Sequence, residues 1–272
     1  MKPPQRALTP DEVRQRYNLQ AEQYQTRYVG LKGDYYRRFE DQLFLEFLEA
    51  DGKRVLDLGT GRGRLALMLA SVAKDVVGID ISEEMIRHAR AAGHGIDNVR
   101  FELGNALKLD YPSHHFDVAS SMGMFPYVRE VFPFLCEINR VLKPGGALAF
   151  SVCNAAEWKH TSALYATAYR TARRLLGRSV PPPSDDESPL IPHELSRLEH
   201  ELDRAGFDLV GHRSTFFFLP SRIFYWAGRR KLAPLQDLAA RANAVLGKLP
   251  ITRDHGKVMV VFARKRSEPT SS

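Results

Sequence analysis

Short apolar runs alternate with stretches of helical character along most of this chain. The apolar runs cover residues 55–58, 76–80, 98–103, 116–120, 147–152, 209–219 and 257–264, and most of them are short enough to be single strands. Helices are predicted at 37–50, before the first of these runs, and at 65–73, 83–93 and 130–142, between later ones. Strands that alternate with helices favour an α/β fold, in which a mainly parallel sheet carries helices on both faces.

Three glycines follow the first predicted strand, at Gly59, Gly61 and Gly63, and a helix follows them. Glycine permits a sharp turn and a close approach of a ligand to the main chain, and the helix start offers free N–H groups. Asp80 ends the next strand, where an acid can accept hydrogen bonds from two ribose hydroxyls. The turn therefore predicts a binding site for a nucleotide-like cofactor.

The spacing of these glycines argues against a dinucleotide. Dinucleotide-binding turns use G-x-G-x-x-G, whereas this chain has G-x-G-x-G with Asp57 two residues before the first glycine. An acid at that position would repel a pyrophosphate, but it could serve an ammonium group directly or through water. S-adenosylmethionine combines an adenosine with a methionyl ammonium group and carries no phosphate, so it fits the pattern.

Five motifs follow one another in an order that resembles the class I S-adenosylmethionine-dependent methyltransferases. They are D-L-G-T-G-R-G from Asp57, G-I-D-I-S from Gly78, G-N-A from Gly104, F-D-V from Phe116 and L-K-P-G-G from Leu142. The resemblance runs from about residue 54 to 152, with a weaker tail to 264. It implies a Rossmann-like seven-stranded sheet of order 3-2-1-4-5-7-6, with the last strand antiparallel and a helical cap or insertion. It also implies S-adenosylmethionine as the methyl donor and S-adenosylhomocysteine as the product.

The resemblance also implies which residues contact the cofactor. They are Asp57, Gly59, Thr60, Gly61, Gly63, Asp80, Ile81, Met85, Asn105, Ala106, Ser121, Tyr24 and Tyr28. Relatives commonly carry an acid where this chain has Asn105, and an amide oxygen can still accept from the adenine amino group. Simpler interpretations remain open: core packing for Ile81 and Met85, a turn residue for Asn105, and packing of the N-terminal segment for the two tyrosines.

The loop after the fourth strand is expected to border the methyl acceptor, because ligands of open α/β sheets bind outside the carboxyl ends of the strands. This loop lacks the Asn/Asp-Pro-Pro-Tyr/Phe and Pro-Cys motifs of enzymes that methylate bases. The candidate substrate residues are Met122, Met124, Phe125 and Tyr127 from this loop, and Trp158, Tyr165 and Tyr169 from a later insertion. His160 is the candidate general base.

The sequence predicts five segments. Residues 1–36 form an N-terminal helical lid whose first helix is capped by Thr9, and 37–153 form the cofactor-binding core. Residues 154–192 form a helical insertion over the substrate site. Residues 193–266 complete the core and contain a second helical insertion at 222–249, and 267–272 form a disordered tail.

Composition adds few constraints. Hydrophobic residues make up 44% and charged residues 26% of the 272-residue chain, which is ordinary for a globular protein. No apolar run reaches the length of a membrane span, and no secretory signal is visible, so we expect a cytoplasmic protein. The two cysteines predict neither a disulfide framework nor a metal site. His114 and His115 are expected in an exposed turn.

The main hypothesis is a methyltransferase that acts on a small, partly apolar molecule at oxygen, nitrogen or carbon, as a monomer or homodimer. An RNA methyltransferase is supported only by the net charge of +7, which is scattered along the chain, so nucleic acid is an unlikely partner. A regulatory protein that binds the cofactor without turnover is the third hypothesis. A nicotinamide-dependent oxidoreductase is disfavoured by the glycine spacing.

Overall fold

The structure is a computed structural model that describes residues 8–27, 37–155, 191–215, 227, 230–249, 254 and 256–267. The strands are β1 (Arg54–Leu58), β2 (Asp75–Asp80), β3 (Val99–Leu103), β4 (Phe116–Ser121), β5 (Leu142–Asn154), β6 (Pro192–His193), β7 (Phe207–Thr215) and β8 (Val258–Lys265). The helices are α1 (Pro10–Arg27), α2 (Gln42–Leu48), α3 (Arg64–Ala70), α4 (Glu83–Ala92), α5 (Val131–Val141), α6 (Leu195–Arg204) and α7 (Ala233–Lys248). A π-helical turn, Arg37–Asp41, precedes α2, and a 3-10 turn, Phe125–Tyr127, precedes α5.

The strands form one sheet of order β3-β2-β1-β4-β5-β8-β7, in which β8 is antiparallel to both of its neighbours. The two-residue strand β6 lies off this path and pairs with the end of β5. When this addition is left out of the numbering, the order is 3-2-1-4-5-7-6 with the last strand antiparallel, so the predicted fold is confirmed. The sheet has eight strands rather than the predicted seven because β6 adds one.

Helices cover both faces of the sheet, and each face has its own core. On one face, Phe134 and Ile138 of α5 pack with Leu56 of β1. On the other, Phe44 of α2 and Leu69 of α3 pack with Val55 and Val76. Neighbouring residues of β1 thus point to opposite layers, as the pleat of a strand requires. Burial of each large side chain contributes about 1.5–3 kcal/mol, so both faces stabilise the sheet.

The ends of two helices follow from local hydrogen bonds. At α1, the Glu12 N–H donates to Thr9 Oγ1 at 3.3 Å, and the Thr9 N–H donates to Glu12 Oε2 at 2.7 Å. This is the reciprocal capping box that the sequence predicts at this position. At α4, Ser82 Oγ accepts from the Met85 N–H at 3.1 Å. In the parts of the chain that the structure describes, no helix is long and apolar enough to cross a membrane.

Gly63 is required by packing as well as by its backbone. Its φ is +83°, in the left-handed region, where it begins α3. A Cβ atom at Gly63 would lie 2.6 Å from Cζ of Phe101 in β3, far closer than atoms of a stable core approach. Gly95 has the same φ of +83°, but a Cβ atom there would meet nothing within 4 Å. Substitution of Gly95 by alanine would therefore add backbone strain alone, whereas the same substitution at Gly63 would add both strain and steric overlap.

We expect Gly63→Ala to lower the free energy of unfolding by about 2–5 kcal/mol, because overpacking adds to left-handed strain. The control Gly95→Ala adds only the strain and should cost about 1–2 kcal/mol. Urea unfolding of both variants measures the difference. Equal losses of stability would show that the contact between Gly63 and Phe101 does not constrain the fold.

Candidate active site

A cavity of about 320 Å³ lies beyond the carboxyl ends of β1, β2 and β4, within the range of about 300–1,000 Å³ that is usual for ligand sites. The chain order of the strands reverses between β1 and β4, and ligands of open α/β sheets bind at this point. The wall combines the glycine turn, the end of β2, the loop after β4 and the start of α1. The cavity therefore lies where the sequence places the cofactor turn.

The glycine turn is tied to the end of β2 by three backbone donors. The N–H groups of Gly59 and Thr60 donate to the carbonyl oxygen of Ile79 at 2.8 and 3.0 Å. The N–H of Gly61 donates to Oδ2 of Asp80 at 2.8 Å. Gly59 and Gly61 have φ of +67° and +55°, which a residue with a side chain adopts only with strain. Both glycines line the cavity, so the main chain itself forms part of its wall.

Asp80 holds one backbone donor on each carboxylate oxygen. Besides the Gly61 N–H on Oδ2, the Ser82 N–H donates to Oδ1 at 2.9 Å. Burial raises the pKa of Asp80, and these backbone N–H groups oppose the rise. A carboxylate has about four acceptor sites, so the group can still accept from two further donors in the cavity that it lines.

Four of the predicted cofactor residues lie behind the cavity wall. Asp57 is buried in register with Gly78 and Ser120, and its Oδ1 accepts from the Ser120 hydroxyl at 2.7 Å. Burial raises the pKa of Asp57 to about 6, and the bond from Ser120 opposes this shift. The side chains of Thr60 and Ser121 are buried, and Gly63 faces the core. These residues shape the floor of the turn rather than its surface.

The predicted adenine side of the cavity contains Ile81, Met85, Asn105 and Ala106 in its wall. Met85 is also almost fully buried, so core packing and cavity lining are compatible at this position. The side-chain oxygen of Asn105 accepts from the Leu107 N–H at 2.9 Å. Asn105 therefore stabilises its own turn, which was the simpler of its two interpretations.

The loop after β4 contributes Met122, Met124 and Tyr127 to the wall, but not Phe125. Phe125 is fully buried and stacks on Phe150 of β5 with ring centroids 4.3 Å apart. The 3-10 turn directs successive side chains to different sides, so Phe125 enters the core while Tyr127 faces the cavity. Of the predicted apolar wall, Phe125 is thus a core residue and cannot touch a substrate in this arrangement.

Met124 lies directly over the glycine turn. A Cβ atom at Gly59 would be 2.4 Å from Cβ and 2.8 Å from Sδ of Met124. Only a glycine allows this approach, so Gly59 is needed for the contact between turn and loop as well as for its backbone angles. The predicted cofactor side and substrate side therefore meet at Met124.

A polar cluster behind Met122 holds the loop in place. Arg64 pairs with the carboxylate of Asp41, and its Nη2 lies 2.9 Å from Sδ of Met122. The Gly123 N–H donates to Ser151 Oγ at 2.9 Å. Burial raises the pKa of Glu40, which lies beside Ser151 and Arg64. The sequence did not reveal this cluster, because the predicted regular helix at 37–50 begins instead with a π-helical turn that contains Glu40 and Asp41.

Helix α1 closes one side of the cavity, with Pro10, Val13 and Tyr17 in its wall. Asn18 ties α1 to α4, because its Oδ1 accepts from Ser82 Oγ at 2.6 Å and its Nδ2 donates to Glu83 at 2.8 Å. The Tyr17 ring contacts the Tyr127 ring edge-on, with centroids 5.5 Å apart. Tyr17 was not among the predicted site residues, although its helical spacing with Tyr24 and Tyr28 was a signal in the sequence.

Several predicted site residues lie outside what the structure describes. They are the side chain of Tyr24, and Tyr28, Trp158, His160, Tyr165 and Tyr169. These assignments stay predictions, as does the boundary of the insertion that carries four of them.

A family model described as a methyltransferase domain matches residues 49–209, which include β1 to β6 and the whole glycine turn. The chain belongs to the class I S-adenosylmethionine-dependent methyltransferase family. Membership defines an enzyme of the transferase class, and it implies S-adenosylmethionine as the methyl donor.

Three similar proteins illustrate the match. A ubiquinone biosynthesis O-methyltransferase from Methylococcus capsulatus is 30% identical over 181 residues, which cover 62% of this chain and 73% of that protein. The crystal structure of a [4+2]-cyclase, SpnF, has a TM-score of 0.65 at 22% identity and covers 96% of this chain and 98% of its own. An S-adenosylmethionine-dependent methyltransferase from Mesorhizobium loti has a TM-score of 0.56 at 23% identity, with coverage of 87% and 100%. The two structures show the fold alone.

Asp57 makes the stability of the protein depend on pH. Its pKa is about 6 in the folded protein and about 3.9 in an unfolded chain, so folding favours the protonated acid. The stabilisation is complete below about pH 4 and is lost as the pH rises through about 6. Asp57→Asn removes this dependence and retains an acceptor for Ser120.

We therefore expect the unfolding free energy of Asp57→Asn, relative to wild type, to rise by about 2–3 kcal/mol between about pH 4 and pH 7. Urea unfolding of both proteins at the two pH values measures the change. An equal difference at both pH values would contradict the raised pKa of Asp57.

Proposed function

We propose that the cavity binds S-adenosylmethionine and a small, partly apolar acceptor together, and that the enzyme methylates a hydroxyl group of that acceptor. The observation that carries this proposal is the contact of Met124 with Gly59, which joins an apolar wall to the glycine turn within one cavity. Tyr17, Met122 and Tyr127 extend the same wall. An acceptor held against this wall would lie next to S-adenosylmethionine bound on the glycine turn.

The residues present fit the proposed cofactor. Asp80 has acceptor sites left for two ribose hydroxyls after its bonds from Gly61 and Ser82. Ile81 and Met85 offer apolar contact for an adenine ring. Asp57 lies beneath the turn, where its negative charge would favour an ammonium and a sulfonium group over a phosphate.

Position and exclusion of water are the main contributions of this chain to the reaction. Bound S-adenosylmethionine supplies a methyl group on a sulfonium, which is already an effective leaving group. Met122, Met124 and Tyr127 orient the acceptor, and α1 covers the cavity from the opposite side. His160 stays our candidate for the base that takes the hydroxyl proton, and unchanged turnover in His160→Gln would remove it from this role.

The apolar wall favours a small-molecule acceptor over RNA. An acceptor that is small and partly apolar is consistent with the ubiquinone biosynthesis O-methyltransferase among the relatives. RNA recognition would need several basic groups around the mouth of the cavity, whereas Arg129 is the one basic residue among the described residues that line it. The structural likeness to a [4+2]-cyclase shows that this fold does not by itself define the reaction.

Incubation with S-adenosylmethionine labelled in its methyl group tests the proposal directly. With an extract of small metabolites as the acceptor source, we expect label in organic-soluble material and formation of S-adenosylhomocysteine. Label found only in RNA or protein would refute the proposed acceptor. Cofactor binding without any transfer to metabolites, RNA or protein would instead support the regulatory alternative.

Asp80→Asn should weaken the binding of S-adenosylmethionine at least about tenfold, because hydrogen bonds to a charged group contribute about 1.5–3 kcal/mol. The neutral amide also has one oxygen where the Gly61 and Ser82 N–H groups need two acceptors. The matched control is Asp75→Asn, which changes the same residue type at the other end of β2, where Asp75 pairs with Arg100.

Calorimetry with S-adenosylmethionine compares the two variants with wild type. The control should bind normally, because a surface ion pair contributes at most about 1 kcal/mol to stability. Wild-type affinity in Asp80→Asn would exclude Asp80 from the cofactor site.

Tyr127→Ala should raise KM for the acceptor that labelling identifies by about tenfold, because it removes a large apolar contact from the wall. Tyr127→Phe keeps the ring and its contact with Tyr17, and it should stay near wild type. Steady-state kinetics with both substrates varied separates the acceptor from the cofactor. An unchanged acceptor KM in Tyr127→Ala would place the acceptor elsewhere.

A further inference from the structure

Helix α7 has an unusual distribution of apolar residues. The side that packs against the protein consists of small residues, Ala239, Ala240, Asn243 and Gly247, which are all buried. Two of its larger apolar residues point outward instead, with Leu238 at 61% and Val245 at 55% exposure, and Leu249, directly after the helix, is 45% exposed. A helix on the surface of a globular protein normally has the opposite arrangement.

The exposed apolar residues of α7 lie on one side of the helix. Leu238 and Val245 are seven positions apart, which is about two helical turns, and Leu249 caps the end of the helix four positions after Val245. Single exposed apolar residues are common and need no explanation, but an aligned set on one helix marks a contact surface. We call this set the outer face of α7.

Positive charge accompanies the outer face. Arg241 lies three positions after Leu238, and Lys248 lies three positions after Val245, and both are exposed. Exposed Lys231 lies just before the helix, and Asp237 is the one acidic residue within α7. A second copy of the chain would bring the same positive charges against each other in a two-fold contact. An anionic lipid surface would be attracted, by about 1 kcal/mol for each basic residue.

The segment that contains α7 leaves and re-enters the sheet at the edge where the cavity lies. Thr215, the last residue of β7, pairs with Val258, the first residue of β8. The chain between them therefore leaves and re-enters the sheet at one edge. That edge is the carboxyl end of the parallel strands, where the cavity lies. Helix α7 itself packs against β7.

We propose that the outer face of α7 binds the surface of an anionic phospholipid bilayer. Leu238, Val245 and Leu249 enter the boundary between headgroups and acyl chains, and Arg241 and Lys248 contact the anionic headgroups. This inference does not depend on the identity of the methyl acceptor.

Co-sedimentation of the full chain with vesicles tests the proposal. We expect binding to vesicles of mixed phosphatidylcholine and phosphatidylglycerol, a decrease with added salt, and little binding to phosphatidylcholine alone. The variant Leu238→Ser/Val245→Ser should weaken binding about tenfold or more, because it removes two apolar side chains from the interface. Arg241→Gln/Lys248→Gln should weaken it about 25-fold, from about fivefold for each charge.

The matched control is Val72→Ser/Ile96→Ser, which replaces two apolar residues of 48% and 39% exposure in loops away from α7. It should sediment like wild type, and all variants should keep wild-type affinity for S-adenosylmethionine. Wild-type protein that stays in solution with anionic vesicles, or that binds both lipid mixtures equally, would overturn the proposal. The proposal would also be overturned if both α7 variants sedimented with anionic vesicles as the wild type does.

Light scattering tests whether a second copy of the chain, rather than lipid, covers the outer face of α7. A dimer in solution that Leu238→Ser/Val245→Ser converts to a monomer would show that the outer face is a contact between two copies, and it would refute lipid binding as its role. A single wild-type mass that does not change in the variant agrees with the proposal.

Discussion

The hydrogen bond from the Gly61 N–H to the Asp80 carboxylate determines the shape of the candidate site. It depends on the register of β1 and β2, in which Leu58 pairs with Ile79 and so brings the turn after β1 beside the end of β2. The Ile79 carbonyl oxygen accepts two further N–H groups from the same turn. The three N–H donors of the turn thus bond to acceptors on two adjacent residues of β2, and they fix a turn whose glycines have left-handed angles. The cavity reaches the main chain at Gly61, where an added Cβ atom would meet nothing within 4 Å, while the Met124 side chain covers Gly59.

The surroundings of the turn reinforce this arrangement from two sides. Below it, the buried Asp57 is held by the Ser120 hydroxyl, so a negative charge lies under the turn at the cost of a raised pKa. Above it, Met124 fits against Gly59, and the stacking of Phe125 on Phe150 anchors the loop that carries Met124. Helix α1 then closes the remaining side through the bonds of Asn18 to α4. The proposed cofactor and acceptor regions are therefore bounded by the same set of packed and hydrogen-bonded elements.

Local sequence spacing predicted the glycine turn and its position beside Asp80, and the family resemblance implied the sheet order. These features depend on strand patterns and motifs that occur within short segments, together with a family resemblance. Gly63 accommodates the Phe101 ring, whereas other glycines of the turn face the cavity. The sequence could not reveal this difference, because Gly63 and Phe101 are far apart in the chain. The same limit applies to Phe125 and Tyr17, since their environments are set by β5 and by the loop after β4. Contacts with residues from distant segments determine whether a side chain faces the core or the cavity.

We propose that one cavity, bounded by the glycine turn, Asp80 and Met124, holds the methyl donor. A crystal structure of the protein with S-adenosylhomocysteine would test this assignment. We expect a ribose hydrogen-bonded to the Asp80 carboxylate, an adenine ring against Ile81 and Met85, and the thioether sulfur facing Met124. A ligand bound elsewhere, or one that leaves Asp80 without a ribose contact, would contradict it.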